Sequence, residues 1–251
     1  MIADEQLRCS ARQKWRPILL ADWRDALFIH FRIAPEALQP MIPLPLDLFD
    51  GQAYVSLVAF TQDRLRPAID VAAAEYLSRP LGRHEFLNVR TYVLRDGEPG
   101  IYFISEWIPN RLAVFLGPRL YGLPYRLAQL AYHTAEGYAM RQVMAGEHQF
   151  SCQATWDHRG RFAACQADTE AEFLLERYTA YTFRRGVLRQ FRIRHDPWRQ
   201  TEARVNICRR ELLAPIPEMT PCSAHFSPGP RNVEIGKPQR LGRSNFGLNR
   251  A

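Results

Sequence analysis

Short β-rich runs recur along this chain with turn chemistry between them, and that rhythm points to antiparallel sheet. The runs are Ala53 to Phe60, Leu87 to Leu94, Ile101 to Trp107, Tyr138 to Val143, Gln149 to Trp156, Phe162 to Gln166, Val187 to Ile193 and Ala203 to Leu212. Between them stand Asp96-Gly97, Glu136-Gly137, Asp157-His158-Arg159-Gly160 and Arg185-Gly186, which favour tight hairpins. Upstream, Leu27 to Ile33 places Phe28, His30 and Arg32 on one side of a strand and Ile29, Phe31 and Ile33 on the other. Pro35 suits the first turn of a short helix, which Pro40, Pro43 and Pro45 end quickly. A longer helix is expected from Thr169 to about Thr182. Thr169 and Glu172 have capping-box spacing, and Phe173, Leu174 and Tyr178 should pack on the sheet.

With 251 residues, 47% of them hydrophobic, the chain can bury one large core, and a single mainly β domain over 1–251 is expected. Weak periodicity from Arg64 to Gly82 suggests a surface excursion able to cover a pocket. The tail from Pro215, rich in Pro, Ser, Gly and Asn, is expected to be partly mobile. No run of about 18 apolar residues occurs and the N-terminus lacks a signal-peptide pattern, so a soluble cytoplasmic protein away from membranes is expected. Five cysteines, odd in number and without Cys-x-x-Cys spacing, argue for reduced thiols rather than a disulfide framework or a zinc ribbon. The net charge of +7 raises nucleic-acid binding, but the arginines are scattered, which argues against it. Oligomeric state is left open, a homo-oligomer included.

The segment Gly117-Pro118-Arg119-Leu120-Tyr121-Gly122-Leu123-Pro124-Tyr125-Arg126 resembles the catalytic stretch of acetoacetate decarboxylases, with Tyr125 where the imine-forming lysine stands. Trp23-Arg24, Phe28 to Arg32, Ala34 to Leu38 and Ile42-Pro43-Leu44-Pro45-Leu46 resemble that superfamily's opening strand, short helix and turn. Arg83-His84-Glu85 falls where those enzymes carry a glutamate. A fuller resemblance is to the YqjF-like family, domain of unknown function 2071. It rests on Glu85 to Val93, Pro99 to Phe103, Leu123-Pro124-Tyr125, Phe173 to Tyr178 and His195-Asp196-Pro197-Trp198. The resemblance implies an acetoacetate decarboxylase-like β-barrel with a few short helices. Ser105-Glu106-Trp107 departs from the pattern of relatives, as does Arg199-Gln200-Thr201.

An imine needs a lysine destabilised as its ammonium, yet Lys14 and Lys237 are the only lysines and both lie near the termini. What the resemblance leaves at its site is a different set. Arg24 and Arg126 can bind a carboxylate, Glu85 can act as a base, and Tyr125 either exchanges a proton or plugs the old pocket. Asn88, Arg90 and Tyr92 share one strand face, which either lines the cavity or faces out. His30 is a further pocket candidate, and His195 and Trp198 read as structural. No metal-ligand pattern, P-loop, Gly-x-Ser-x-Gly elbow or dinucleotide fingerprint occurs, so no cofactor is expected. The sequence thus suggests a pocket for a small anionic organic molecule. It belongs either to a lyase-like or isomerase-like acid/base enzyme acting on a keto acid or related carboxylate, or to a non-catalytic metabolite-binding protein. Nucleic-acid binding is a third reading.

Overall fold

The computed structural model describes residues 16–69 and 78–243. Cys9, Lys14, the centre of the 64–82 excursion and the last residues of the tail lie outside them.

Seven strands close a barrel. Around it run β1 (Pro17–Ile33), β2 (Ala53–Pro67), β3 (His84–Arg95), β4 (Glu98–Ile108), β9 (Thr179–Arg184), β10 (Val187–Arg194) and β14 (Val233–Gly236), which returns to β1. Every junction is antiparallel except β4–β9. Short β5 (Tyr125–Leu127) runs parallel to β4, while β15 (Gln239–Arg243) pairs with β10. β13 (Thr220–Ser227) pairs with β1 and with β11 (Thr201–Glu202). A second, four-stranded sheet is built from β6 (Gln129–Ala135), β7 (Tyr138–Ala145), β8 (His148–Thr155) and β12 (Arg204–Arg210).

Two cores follow from this layering. Phe28, Val58, Phe60, Phe86, Phe103 and Phe191 pack inside the barrel. Leu27, Ile29, Leu57, Leu87 and Val89, on the opposite faces of the same strands, pack with Val143, Phe150 and Ala154 of the second sheet. Strands buried on both faces read as nearly continuous apolar runs, which is why alternation alone did not say which face lines the cavity.

The helices are short. α1 (Pro35–Leu38) opens on its proline as expected, and α2 (Arg111–Leu120) is capped by Asn110, whose Oδ1 accepts from the Ala113 N–H at 3.0 Å. α3 (Glu170–Leu175) begins at the expected cap, with the Glu172 N–H donating to Thr169 Oγ1. It ends seven residues before the expected Thr182, because Thr179–Arg184 pairs across Arg185-Gly186 with β10, both turn residues having positive φ. Phe162 to Gln166 is not a strand, since β12 takes the free edge of β8 and only Ala163 bridges to Gln200. The tail from Pro215, expected to be partly mobile, instead supplies ordered strands: β13 and β14 bury Phe226 and Val233, with prolines confined to joints and to a bulge opposite Phe31.

Candidate active site

One cavity of about 240 Å³ opens inside the barrel. A single buried water needs only ~10–15 Å³ measured in this way, so this is a ligand-sized space rather than a hydration hole.

Two β-bulges decide which side chains enter it, because a one-residue slip moves a strand's side chains to the other face. In β1 the register with β2 shifts between Arg24 and Leu27, at Asp25, whose φ is 53°. The shift turns Trp23 into the cavity. Arg24 goes outward instead, half exposed, to pair with Asp63 at 3.1 Å. The bulge is held from both sides. Pro230 and Pro228 carbonyls accept from the Trp23 and Asp25 N–H groups, and the fully buried Arg141 donates to the Asp25 carbonyl at 2.8 Å. Gly229 makes the crossing possible, since a Cβ there would sit 2.0 Å from the Trp23 carbonyl oxygen.

The second bulge lies between β3 and β4 at Val89/Arg90. Before it, Ile101 and Phe103 face the cavity; after it, Glu106 does, where uninterrupted alternation would have sent it out. Glu106 now stands opposite Asn88 on β3 and opposite Tyr125 on β5. Asn88, Glu106 and Tyr125 therefore form a row across three adjacent strands, spaced at about 4.8 Å per strand. Along β3 the same face presents His84 towards one end and Arg90 towards the other. Gly117 in α2 seats the tyrosine, as a Cβ there would lie 2.3 Å from the Tyr125 ring.

These groups are buried and underused. Glu106 Oε2, Asn88 Oδ1, Arg90 Nε and both ring nitrogens of His84 have no hydrogen-bond partner among the described residues. Arg90 spends one terminal nitrogen on the Leu174 carbonyl at 3.0 Å. Burial holds the Glu106 carboxyl well above the usual carboxylate range, which favours the protonated, donating form. Burial likewise pushes the Tyr125 phenol up, with Glu106 and Tyr121 adding to the effect. His84 is lowered to about 4 by burial, only partly opposed by the Arg83 backbone, and is a neutral imidazole near pH 7.

Of the residues the sequence proposed, Asn88, Arg90 and Tyr125 line the cavity. Tyr92 and His30 are buried in the barrel beyond Arg90, joined through Ser56 by two 2.6 Å hydrogen bonds, and do not line it. Glu85 alternates to the far side of β3 from His84 and Phe86, towards Tyr132 of the second sheet. Arg126 follows Tyr125 on a strand and so points out, exposed. Glu106, His84 and Trp23 were not proposed. Glu106 did carry a signal: it is the one carboxylate in the run Ile101 to Trp107.

A family of uncharacterised conserved proteins, domain of unknown function 2071, matches residues 20–231, and the chain belongs to it. Uncharacterized protein YqjF of Bacillus subtilis (strain 168) is 32% identical over 198 residues, covering 76% of this chain and 78% of that protein. The fold is that of the acetoacetate decarboxylases. The acetoacetate decarboxylase of Legionella pneumophila superposes with a TM-score of 0.66 at 12% identity, covering 92% of both chains. The enduracididine biosynthesis enzyme MppR, complexed with pyruvate, superposes at 0.64 with 11% identity, over 92% of this chain and 93% of its own.

Proposed function

We propose that this member of the domain of unknown function 2071 family is an acid/base enzyme that handles a carbonyl compound, a keto acid or related carboxylate, without a lysine imine. The observation that carries the reading is the Asn88–Glu106–Tyr125 row lining one cavity, with Asn88 Oδ1 and Glu106 Oε2 buried and without a hydrogen-bond partner among the described residues. Lysine-independence is supported by inventory: Lys237 is exposed, and the lining of the cavity contains no lysine among the described residues.

Each group has a role that follows from its charge state. Arg90, with its free Nε, anchors the substrate's carboxylate. The Tyr125 hydroxyl and the protonated Glu106 carboxyl donate to the carbonyl oxygen, and their hydrogen bonds strengthen as negative charge develops there. The neutral His84 imidazole takes the proton from the adjacent carbon. A bound carboxylate raises its basicity above that of the empty cavity. The enolate so formed is then protonated at carbon, giving exchange or isomerisation, or it is itself the product of a carbon–carbon cleavage.

The test is proton exchange. With 2-oxo acids in deuterated buffer, the protein should accelerate deuterium incorporation beside the carbonyl, followed by proton NMR. Glu106→Gln and His84→Gln should each slow it by about 10²-fold or more. Binding with no exchange in any 2-oxo acid tried would instead support the non-catalytic binding protein. That second reading draws on the neutrality of Glu106 and Tyr125, which as donors can hold a ligand without transforming it.

A further inference from the structure

The cavity is polar on one wall and apolar on the other. Apart from Gln62 on β2, the polar lining residues His84, Asn88, Arg90, Glu106 and Tyr125 stand on the β3–β4–β5 wall, whereas the lining from β1, β10 and β14 is hydrocarbon and aromatic throughout. Trp23 stacks on Trp198 with centroids 5.8 Å apart, and Phe191, Ile193 and Ile235 extend the apolar lining beside them. The rim continues in kind: Leu120 lines the opening and is 58% exposed. A three-carbon keto acid placed on the polar wall leaves the aromatic wall with nothing to cover it. Apolar surface of this sort is stabilised by apolar surface, in proportion to the area removed from water.

We infer that the natural ligand carries its keto-acid or related carboxylate head on a ring-sized or long hydrocarbon body, the head meeting the Asn88–Glu106–Tyr125 row and Arg90 and the body lying against Trp23, Trp198 and Phe191. This rests on the cavity being the site of the proposed chemistry, and it names the substrate class for that site. It also gives Leu120 a role, as an apolar sill over which the body enters.

The probes are three homologous series, 2-oxo acids from pyruvate to 2-oxooctanoate with phenylpyruvate, plain carboxylates of matching length, and methyl ketones of matching length, titrated into the full chain by calorimetry. Each added methylene buried against the aromatic wall should tighten binding about fourfold. Phenylpyruvate should bind at least 50-fold more tightly than pyruvate. Leu120→Asp, a change at an exposed position, should flatten the dependence on length in whichever series binds. A flat series in the unmodified protein, tightest binding by pyruvate, or no binding by any member at millimolar concentration would overturn the inference. The two readings fail separately. A steep length dependence with no proton exchange would sink the acid/base chemistry and leave the ligand class standing, whereas exchange confined to the shortest acids would do the reverse.

Discussion

The two halves of the barrel interior treat polar groups in opposite ways. In the half beyond Arg90, most are satisfied: the Tyr92 hydroxyl donates to the Leu174 carbonyl and meets Ser56, Arg177 pairs with Asp47 at 2.7 Å, and Glu176 accepts from Tyr178 and from the Trp198 N–H. In the cavity half, His84, Asn88 and Glu106 expose polar atoms to no protein partner among the described residues. Unpartnered buried groups destabilise a fold, so a protein retains them where something other than stability is being served. The exceptions in the packed half, His30 Nε2 and His225 Nδ1, belong to two rings 5.2 Å apart.

Acid should produce the largest effect and act on both halves. Burial lowers both His84 and His195 from 6.5 to about 4, and lowers His30 and His225 as well. The folded state holds these rings neutral while the unfolded chain protonates them below 6.5. Their contribution is therefore intact above that pH and is lost as pH falls towards 4. Each of the two with a value near 4 should remove on the order of 3 kcal/mol at pH 4. Urea titrations across pH 4 to 7 measure it. His84→Gln and His195→Gln should both soften the acid loss, but only His195→Gln should also weaken the protein at pH 7. Its ring is wedged among Trp23, Tyr178 and Trp198, and its Nδ1–H donates to the Asp196 carbonyl.

Next in size is Asp47→Ala, which strands the Arg177 guanidinium, whose side chain is 5% exposed, over Phe173. A loss of about 3 kcal/mol in chemical denaturation, with ligand affinity unchanged, is expected. In the cavity the sign reverses. Glu106→Leu removes a buried carboxyl whose Oε2 has no partner among the described residues and should raise stability at pH 7 by about 1–3 kcal/mol while abolishing exchange activity. The gain should shrink as pH falls into the usual carboxylate range, because the unfolded chain then also holds its proton. Destabilisation by this change would mean that Glu106 has a structural partner and would erase the contrast between the halves.

Much of the fold was legible, and the legible parts share a cause. Hairpins announced by Asp96-Gly97, Glu136-Gly137 and Arg185-Gly186 formed because those dipeptides accept positive φ, and the cap at Thr169 formed because its hydroxyl serves a local N–H. The resemblance supplied the barrel. What failed at Arg24 and Glu106 depended on counting residues through a bulge, whereas Glu85 and Arg126 came from the resemblance and simple alternation turns both away from the cavity. Alternation back from Phe28 puts Arg24 inside, and alternation on from Phe103 puts Glu106 outside; one extra residue in each strand inverts both. The first bulge has no local signature, since it is stabilised by partners distant in the chain, Arg141 and the Pro228–Pro230 crossing. α2 was missed for a related reason. Gly117-Pro118 reads as a breaker, yet glycine stands in a helix here because the Tyr125 ring occupies the space a side chain would need.

The smallest stability effect gives the finest comparison, because it sets one tyrosine hydroxyl against another. Tyr92→Phe deletes a hydroxyl that serves Ser56 and the Leu174 carbonyl, and should cost about 1–2 kcal/mol because two buried hydrogen bonds are lost while the carbonyl keeps its Arg90 donor. Tyr125→Phe deletes a hydroxyl with no protein partner among the described residues and keeps the ring that packs against Gly117 and Phe86. Its stability should therefore stay within about 0.5 kcal/mol of the parent. Its rate of proton exchange should nevertheless fall by about 10²–10³, the effect of removing one donor to a developing oxyanion. Denaturation curves and exchange rates on the two variants should thus move in opposite directions. If Tyr125→Phe instead destabilises the fold and spares exchange, the ring is a plug in the barrel and its hydroxyl has no part in the chemistry.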